Sequence, residues 1–176
     1  VELGLQVDMP LTTRLSEQLA DRHEYRLARR ASMQRIARKA RSTKDIRDFL
    51  RKRSHTEPII DLVISKLEEL KLLDDERFAD EAAASIARRT PSSARFLEHR
   101  LRRHGISPEE ATKAAQAAAG DPLEAAMAVA TKALRSLRSC EPDIRRQRLH
   151  GRLARRGFDF DVIQQAIQRA TDEMEP

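Results

Sequence analysis

Leu97-Glu98-His99-Arg100-Leu101-Arg102-Arg103-His104-Gly105-Ile106-Ser107 is echoed fifty-two residues later by Leu149-His150-Gly151-Arg152-Leu153-Ala154-Arg155-Arg156-Gly157-Phe158-Asp159. In this register Leu97 falls on Leu149, Leu101 on Leu153, Arg103 on Arg155 and Gly105 on Gly157. Ile106 meets Phe158 and Ser107 meets Asp159, while Ala111, Ala114 and Ala115 meet Ile163, Ala166 and Ile167. Leucines four apart mark one face of a helix. A glycine after the basic end suits the left-handed residue that closes a helix. Ser or Asp two positions on suits the cap of the next one. The unit therefore reads helix, basic end, glycine, apolar residue, cap, helix.

An offset of fifty-one adds a weaker first copy. Ile46 falls on Leu97, Leu50 on Leu101, and Arg51 and Lys52 on Arg102 and Arg103, with Ser54 in place of the glycine. Ile60, Val63 and Ile64 fall on Ala111, Ala114 and Ala115. One more helix precedes each copy, near 23–40, 75–89 and 122–138. Three helices in about fifty residues is the length of a stacking repeat. The expected fold is all-α, an elongated array of three tandem three-helix repeats at 21–73, 74–120 and 121–173. Residues 1–20 show no clear period and are read as a variable N-terminal arm.

Helix starts are well marked. Ser107-Pro108-Glu109-Glu110 combines a capping Ser, Pro at the first helical position and a Glu three residues after the cap; Asp121-Pro122-Leu123-Glu124 repeats that logic. Thr90-Pro91 reads as a third start. Ile59, Val63, Leu67 and Leu70 form one helical stripe, and Leu123, Met127, Ala130, Leu134 and Leu137 another. No such window alternates with the period of two that a strand requires.

The 176 residues carry 34 Lys plus Arg against 28 Asp plus Glu, a net charge of +6, and 35% of residues are charged. A basic balance favours an anionic partner. Aromatic residues are only 3% of the chain, which argues against base-stacking recognition of single strands. Cys140 is the only cysteine, so no intrachain disulfide forms and a reducing compartment is compatible. No apolar run approaches the roughly 18 residues that span a bilayer, and Val1–Pro10 lacks a signal peptide's basic and apolar regions. The sequence reads as a soluble, cytoplasmic monomer with no membrane partner.

Motifs of catalysis are missing. There is no GxxxxGK[ST] loop, GxGxxG or GxSxG, and no nucleophile with an attendant base. His99 and His104 are five apart, not the three or four that put two ligands on one helix face, and no HExxH occurs. Asp74-Asp75-Glu76 suits a helix N-terminus, where carboxylates meet the positive dipole end. The expectation is a binding protein, not an enzyme, with no cofactor and no metal.

Basic residues cluster in each copy. Arg26 to Arg53 holds twelve Arg and Lys opposed within the segment only by Asp45 and Asp48; later clusters run from Arg88 to Arg103 and from Arg145 to Arg156. Stacked repeats would align them into a stripe suited to a phosphate backbone or to a filament with acidic lobes. Arg102, Arg103, Arg145, Arg148, Arg152, Arg155 and Arg156 are the candidate partner- and DNA-binding residues. Those at helix ends also complement the C-terminal dipole, worth about 0.3–1 kcal/mol each.

Leu72-Leu73-Asp74-Asp75-Glu76-Arg77-Phe78-Ala79 resembles the LLDDERFA signature of the RecX family of regulatory proteins. Leu153-Ala154-Arg155-Arg156-Gly157-Phe158 with Asp161-Val162-Ile163 resembles the family's C-terminal LARRGF…DVI signature, and Leu101-Arg102-Arg103-His104-Gly105-Ile106 its middle segment. The likeness covers roughly residues 25 to 170. It implies tandem three-helix repeats that bind the RecA recombinase filament on single-stranded DNA along its groove. The implied effect is to modulate, usually by inhibition, RecA's ATP hydrolysis and strand exchange. Single- or double-stranded DNA would be a further partner through the basic stripe. A plain DNA-binding helical module acting without RecA is the alternative. The chain departs from the family pattern at Arg53-Ser54-His55, where a basic-Gly-aromatic turn is usual, and before Asp21.

Overall fold

Residues 13–172 are described in a computed structural model. Among them every regular element is an α-helix, as the spacing of apolar residues predicts. Helices α1 (Thr13–Arg38), α2 (Thr43–Arg51) and α3 (Glu57–Glu69) form a first triplet. Next come α4 (Asp75–Arg89), α5 (Ala94–Arg103) and α6 (Pro108–Ala119), and then α7 (Pro122–Arg135), α8 (Pro142–Ala154) and α9 (Phe160–Asp172). In each triplet every helix packs on the other two. The chain divides at Asp74/Asp75 into two compact units, the first triplet in one and the other two in the second.

Each triplet gathers its own small core. In the first, Ile46 and Leu50 of α2 meet Ile59, Ile60, Val63, Ile64 and Leu67 of α3. In the second, Leu101 meets Phe78, Ala79, Ala83, Ile106, Ala111 and Ala114. In the third, Leu149 and Leu153 meet Ala126, Ala130, Leu134, Ile163, Ala166 and Ile167. Full burial of one Leu is worth about 1.5–3 kcal/mol, more than the ~1 kcal/mol of a good cap. The leucine stripe therefore decides which faces pack, and the caps decide where the helices begin.

The second helix of every triplet ends in the same left-handed turn. Ser54, Gly105 and Gly157 have φ of 61°, 82° and 76°. The N–H of the next residue then reaches back across the turn: His55 to Leu50 O (3.3 Å), Ile106 to Leu101 O (3.4 Å) and Phe158 to Leu153 O (3.5 Å). This pairing satisfies carbonyls that a helix end leaves open. Ile106 and Phe158 are thereby drawn into the cores.

Caps follow the turns. Ser107 Oγ accepts from Glu110 N (3.2 Å) while Glu110 Oε2 accepts from Ser107 N (3.4 Å), the reciprocal capping box. Asp121 Oδ1 accepts from Glu124 N at 2.8 Å. Thr56 makes no side-chain cap on α3. Glu24 of α1 instead binds the cap residue's own N–H, its Oε1 accepting from Thr56 N (3.0 Å) and lying 3.2 Å from His55 Nδ1.

Three boundaries differ from the sequence reading. Helix α1 begins at Thr13, so helix starts inside the stretch read as a variable N-terminal arm at 1–20; residues 1–12 lie outside the described residues. Periodicity misses this start because, among the α1 side chains described, only Ala28 and Ser32 are fully buried, with Tyr25 and Ile36 partly buried against the core. Thr90-Pro91 starts no helix. Helix α4 ends at Arg89, and α5 begins at Ala94 under Ser93, whose Oγ accepts from Phe96 N at 3.2 Å. Helix α7 stops at Arg135, short of 138, where Ser136 Oγ donates to Ala133 O (2.8 Å) and Leu137 N bonds Leu134 O (2.9 Å), tightening the chain into successive turns.

Two glycines in the third triplet should respond oppositely to alanine. At Gly157 a Cβ would lie 2.5 Å from Ser93 Oγ and 3.3 Å from Phe96 N, at a φ of +76°. Gly157→Ala is expected to destabilise by more than the ~1–2 kcal/mol of a left-handed L-residue. Gly151 lies inside α8, where a Cβ meets only Arg155 Nη1 at 3.5 Å. Gly151→Ala should stabilise by about 0.5–1 kcal/mol. Urea unfolding of both variants checks the opposite signs.

Candidate partner and nucleic-acid interface

Arg145, Arg148 and Arg152 of α8 stand three and four residues apart, which lines them up on one side of the helix. That side faces the connection from α7. Arg145 Nη2 donates to Cys140 O (3.2 Å), Arg148 Nη1 to Cys140 Sγ (3.3 Å) and Arg152 Nη1 to Ser136 Oγ (3.3 Å). A guanidinium has five N–H donors, so each arginine is oriented by one bond with most donors left over. Arg145 Nε is buried without a partner. None of the three forms an ion pair with a carboxylate among the described residues.

The end of α8 separates two neighbouring arginines. Arg156 is partly buried, and its Nη1 donates to Pro91 O at 3.0 Å while its own carbonyl accepts from Ser93 N at 3.1 Å. Burial first, and then the like charge of Arg152, lowers the Arg156 pKa from its ordinary value. These bonds, with Gly157 pressed on Ser93 and Phe96, join the third triplet to the loop before α5. Arg155, one residue earlier, is exposed.

Beside this joint lies an open cavity of about 400 Å3 lined by Arg95, Phe96, His99, Ala154, Arg155 and the Gly157-Phe158 turn. Arg95 and His99 are four apart on α5 and both exposed. With Arg155 they surround the cavity with basic groups above a partly apolar floor. Arg103 is exposed at the far end of α5, and Arg102 lies 3.6 Å from Glu98, a surface pair. Eight residues of helix, about 12 Å, separate Arg103 from Arg95. The structure thus sets Arg155 against the start of α5 and leaves Arg102 and Arg103 at its end.

Along the sequence Arg95 lies within the Arg88–Arg103 basic cluster, and nothing there marks it or His99 as a contact. Their spacing of four shows that they share a face, but Arg155 joins them only through tertiary packing. Among the described residues no group of three His, Cys, Asp or Glu side chains is placed to hold a metal ion. No described helix is long and apolar enough to cross a membrane.

The comparisons with known proteins agree with one another. A family model described as "RecX, third three-helix domain" matches residues 120–167, a span running from Gly120 into α9. The "Regulatory protein RecX" of Chlorobaculum tepidum is 29% identical over 138 residues, covering 78% of this chain and 84% of that one. Its counterpart in Prosthecochloris aestuarii is 31% identical over 126 residues, 72% of this chain and 82% of the other. A Bacillus pumilus relative is 32% identical over 142 residues, yet the chain spans only 54% of its length. These relatives are named as regulatory proteins, not as enzymes. A crystal structure of regulatory protein RecX shares the fold with a TM-score of 0.76 at 20% identity, covering 94% of this chain and 81% of its own. A RecX structure from Lactobacillus salivarius does so at 0.70 and 20%, covering 85% and 97%. With a relative 31% identical over 82% of its length and the shared fold of helical triplets, the chain belongs to the RecX family of regulatory proteins.

Proposed function

We propose that this protein is a cytoplasmic regulator that binds the RecA recombinase filament on single-stranded DNA along its groove and restrains its ATP hydrolysis and strand exchange. Family membership is the observation that carries this reading. The arginines of the second unit support it: Arg103, Arg145, Arg148, Arg152 and Arg155 present cationic donors without carboxylate partners among the described residues. Segments 21–73, 74–120 and 121–173 act as three binding modules of a monomer, each built round its own core. Arg102, Arg103, Arg145, Arg148, Arg152 and Arg155 contact the filament or its DNA. Arg156 serves chiefly as a positioning residue, because its guanidinium is bonded to Pro91 O.

DNA binding without RecA is the second reading, favoured by the basic cavity of Arg95, His99 and Arg155. It differs from the first in whether RecA is required for the regulatory effect. Phosphate contacts release counterions, so each should add a log–log salt slope of about −0.7 on single strands or −0.9 on duplex.

Two measurements test the proposal. RecA ATP hydrolysis on single-stranded DNA should fall when the protein is added at stoichiometric amounts, and the protein should co-sediment with the filament. Unchanged hydrolysis with no co-sedimentation rejects the filament reading. Among variants, Arg155→Ala should weaken filament binding with an unaltered unfolding midpoint. Arg156→Ala should lower that midpoint as well, since it leaves Pro91 O without its donor. Equal effects of the two on stability would reject the division of roles.

A further inference from the structure

In the first unit two guanidinium groups converge on one aromatic ring. Arg35 of α1 places Cζ 4.6 Å from the centroid of Phe49, and Arg53, in the turn after α2, places Cζ 4.8 Å from it. Phe49 is partly buried against the unit's core, so the ring is a fixed support. The Arg53 backbone is held too, its N–H bonding Leu50 O at 3.0 Å. A ring quadrupole attracts a cation over its face, which orients each guanidinium. It does not cancel the repulsion between two like charges gathered at one ring.

Nearby carboxylates go elsewhere. Asp61 takes Arg47 at 2.6 Å, Glu57 takes Arg51 at 2.7 Å and Asp48 takes Lys44 at 2.6 Å. Neither Arg35 nor Arg53 has an ion pair among the described residues, and Arg35 Nε is buried with no hydrogen-bond partner. Two oriented, unneutralised forks form a site that lacks its anion. The feature is particular to this triplet, because Arg100 and Arg152 stand at the positions equivalent to Phe49.

We infer that Arg35 and Arg53, held on Phe49, clamp two neighbouring phosphates of a nucleic-acid strand, one to each guanidinium. Phosphate oxygens suit the paired donors of a guanidinium. A chain of phosphates also suits the cations that continue from the site, Arg38 one turn further along α1 and Lys52 beside Arg53, both exposed and without an ion pair among the described residues. Guanidinium groups already cover the ring, so contact is to the strand's backbone and carries no base preference. The inference rests on the DNA-contact part of the proposed function, and it adds a second place of contact, in the first unit.

The test is fluorescence anisotropy of the full chain with a labelled single-stranded oligonucleotide across a salt series, RecA absent. Arg35→Gln with Arg53→Gln should weaken binding at least tenfold and flatten the log–log salt slope by about 1.4, two single-strand contacts. Phe49→Leu keeps both charges and should weaken binding while leaving the slope unchanged. Oligo-dT and mixed-sequence strands should bind alike. If the double variant loses helicity, Arg53→Gln alone, at an exposed turn, should still flatten the slope by about 0.7. An unchanged slope and affinity in a folded variant overturn the clamp and leave DNA binding through the second unit standing. No binding by the unaltered chain at low salt overturns both. Normal DNA binding by the variant with a lost effect on RecA hydrolysis assigns the site to a protein carboxylate and also overturns the phosphodiester reading.

Discussion

The left-handed residue after the second helix of each triplet is the constraint on which the remaining arrangement depends. At Ser54, Gly105 and Gly157 the backbone turns so that the following N–H reaches a carbonyl five residues back. One bond thereby ends a helix, draws Ile106 or Phe158 into the core and sets the cap of the third helix. The same turn fixes where the last side chains of the second helix point. At Gly157 it does more, since its packing on Ser93 and Phe96 leaves no room for a side chain. The joint between the second and third triplets is built on that close approach. In the first triplet Ser54 adopts the strained φ, and Glu24 of α1 accepts from the N–H of Thr56, whose side chain makes no cap.

Electrostatics follows from how the triplets fold back on themselves. Along the chain, the run from Arg26 to Arg53 looks almost unopposed. In the folded unit α3 returns alongside α2, and Glu57 and Asp61 meet Arg51 and Arg47. Arg51 holds the Glu57 carboxyl below its ordinary pKa. Such surface pairs contribute little to stability, yet they decide which cations are left for a partner. Among the described residues Arg35 and Arg53 escape ion pairing, as do Arg103 and Arg155 in the other unit. A chain of +6 net charge thus presents its unpaired positive charge at particular places.

Much of the fold was legible because its signals are local. Leu97, Leu101, Leu149 and Leu153 repeat at helical spacing, and all four are buried. The turn glycines and the Ser107 and Asp121 caps act within a few residues of themselves. The family signatures prove to be largely structural: Leu73 lies in the first core, Phe78 and Ala79 in the second, and Leu153, Phe158 and Ile163 in the third. Where the reading failed, the signal was faint or misleading. The start of α1 lacks an apolar stripe. Thr90-Pro91 has the composition of a helix start, but the helix begins under Ser93, and Pro91's carbonyl serves Arg156 instead.

By itself the sequence determined the helices, their turns, the repeat register, the family and the excess of positive charge. Each depends on residue type at short separations, where backbone geometry leaves few choices. Tertiary structure decided the functional surface. Arg155 and Arg156 are indistinguishable in the sequence, yet one borders a basic cavity with Arg95 and His99 while the other bonds a carbonyl 65 residues away. Arg35 and Arg53 lie apart on the chain, and only the packing of α1 on the α2 end sets both over the ring of Phe49. An arginine's role depends on what lies within a few ångströms of its guanidinium. That neighbourhood is set by packing between distant segments, which spacing along the chain does not encode.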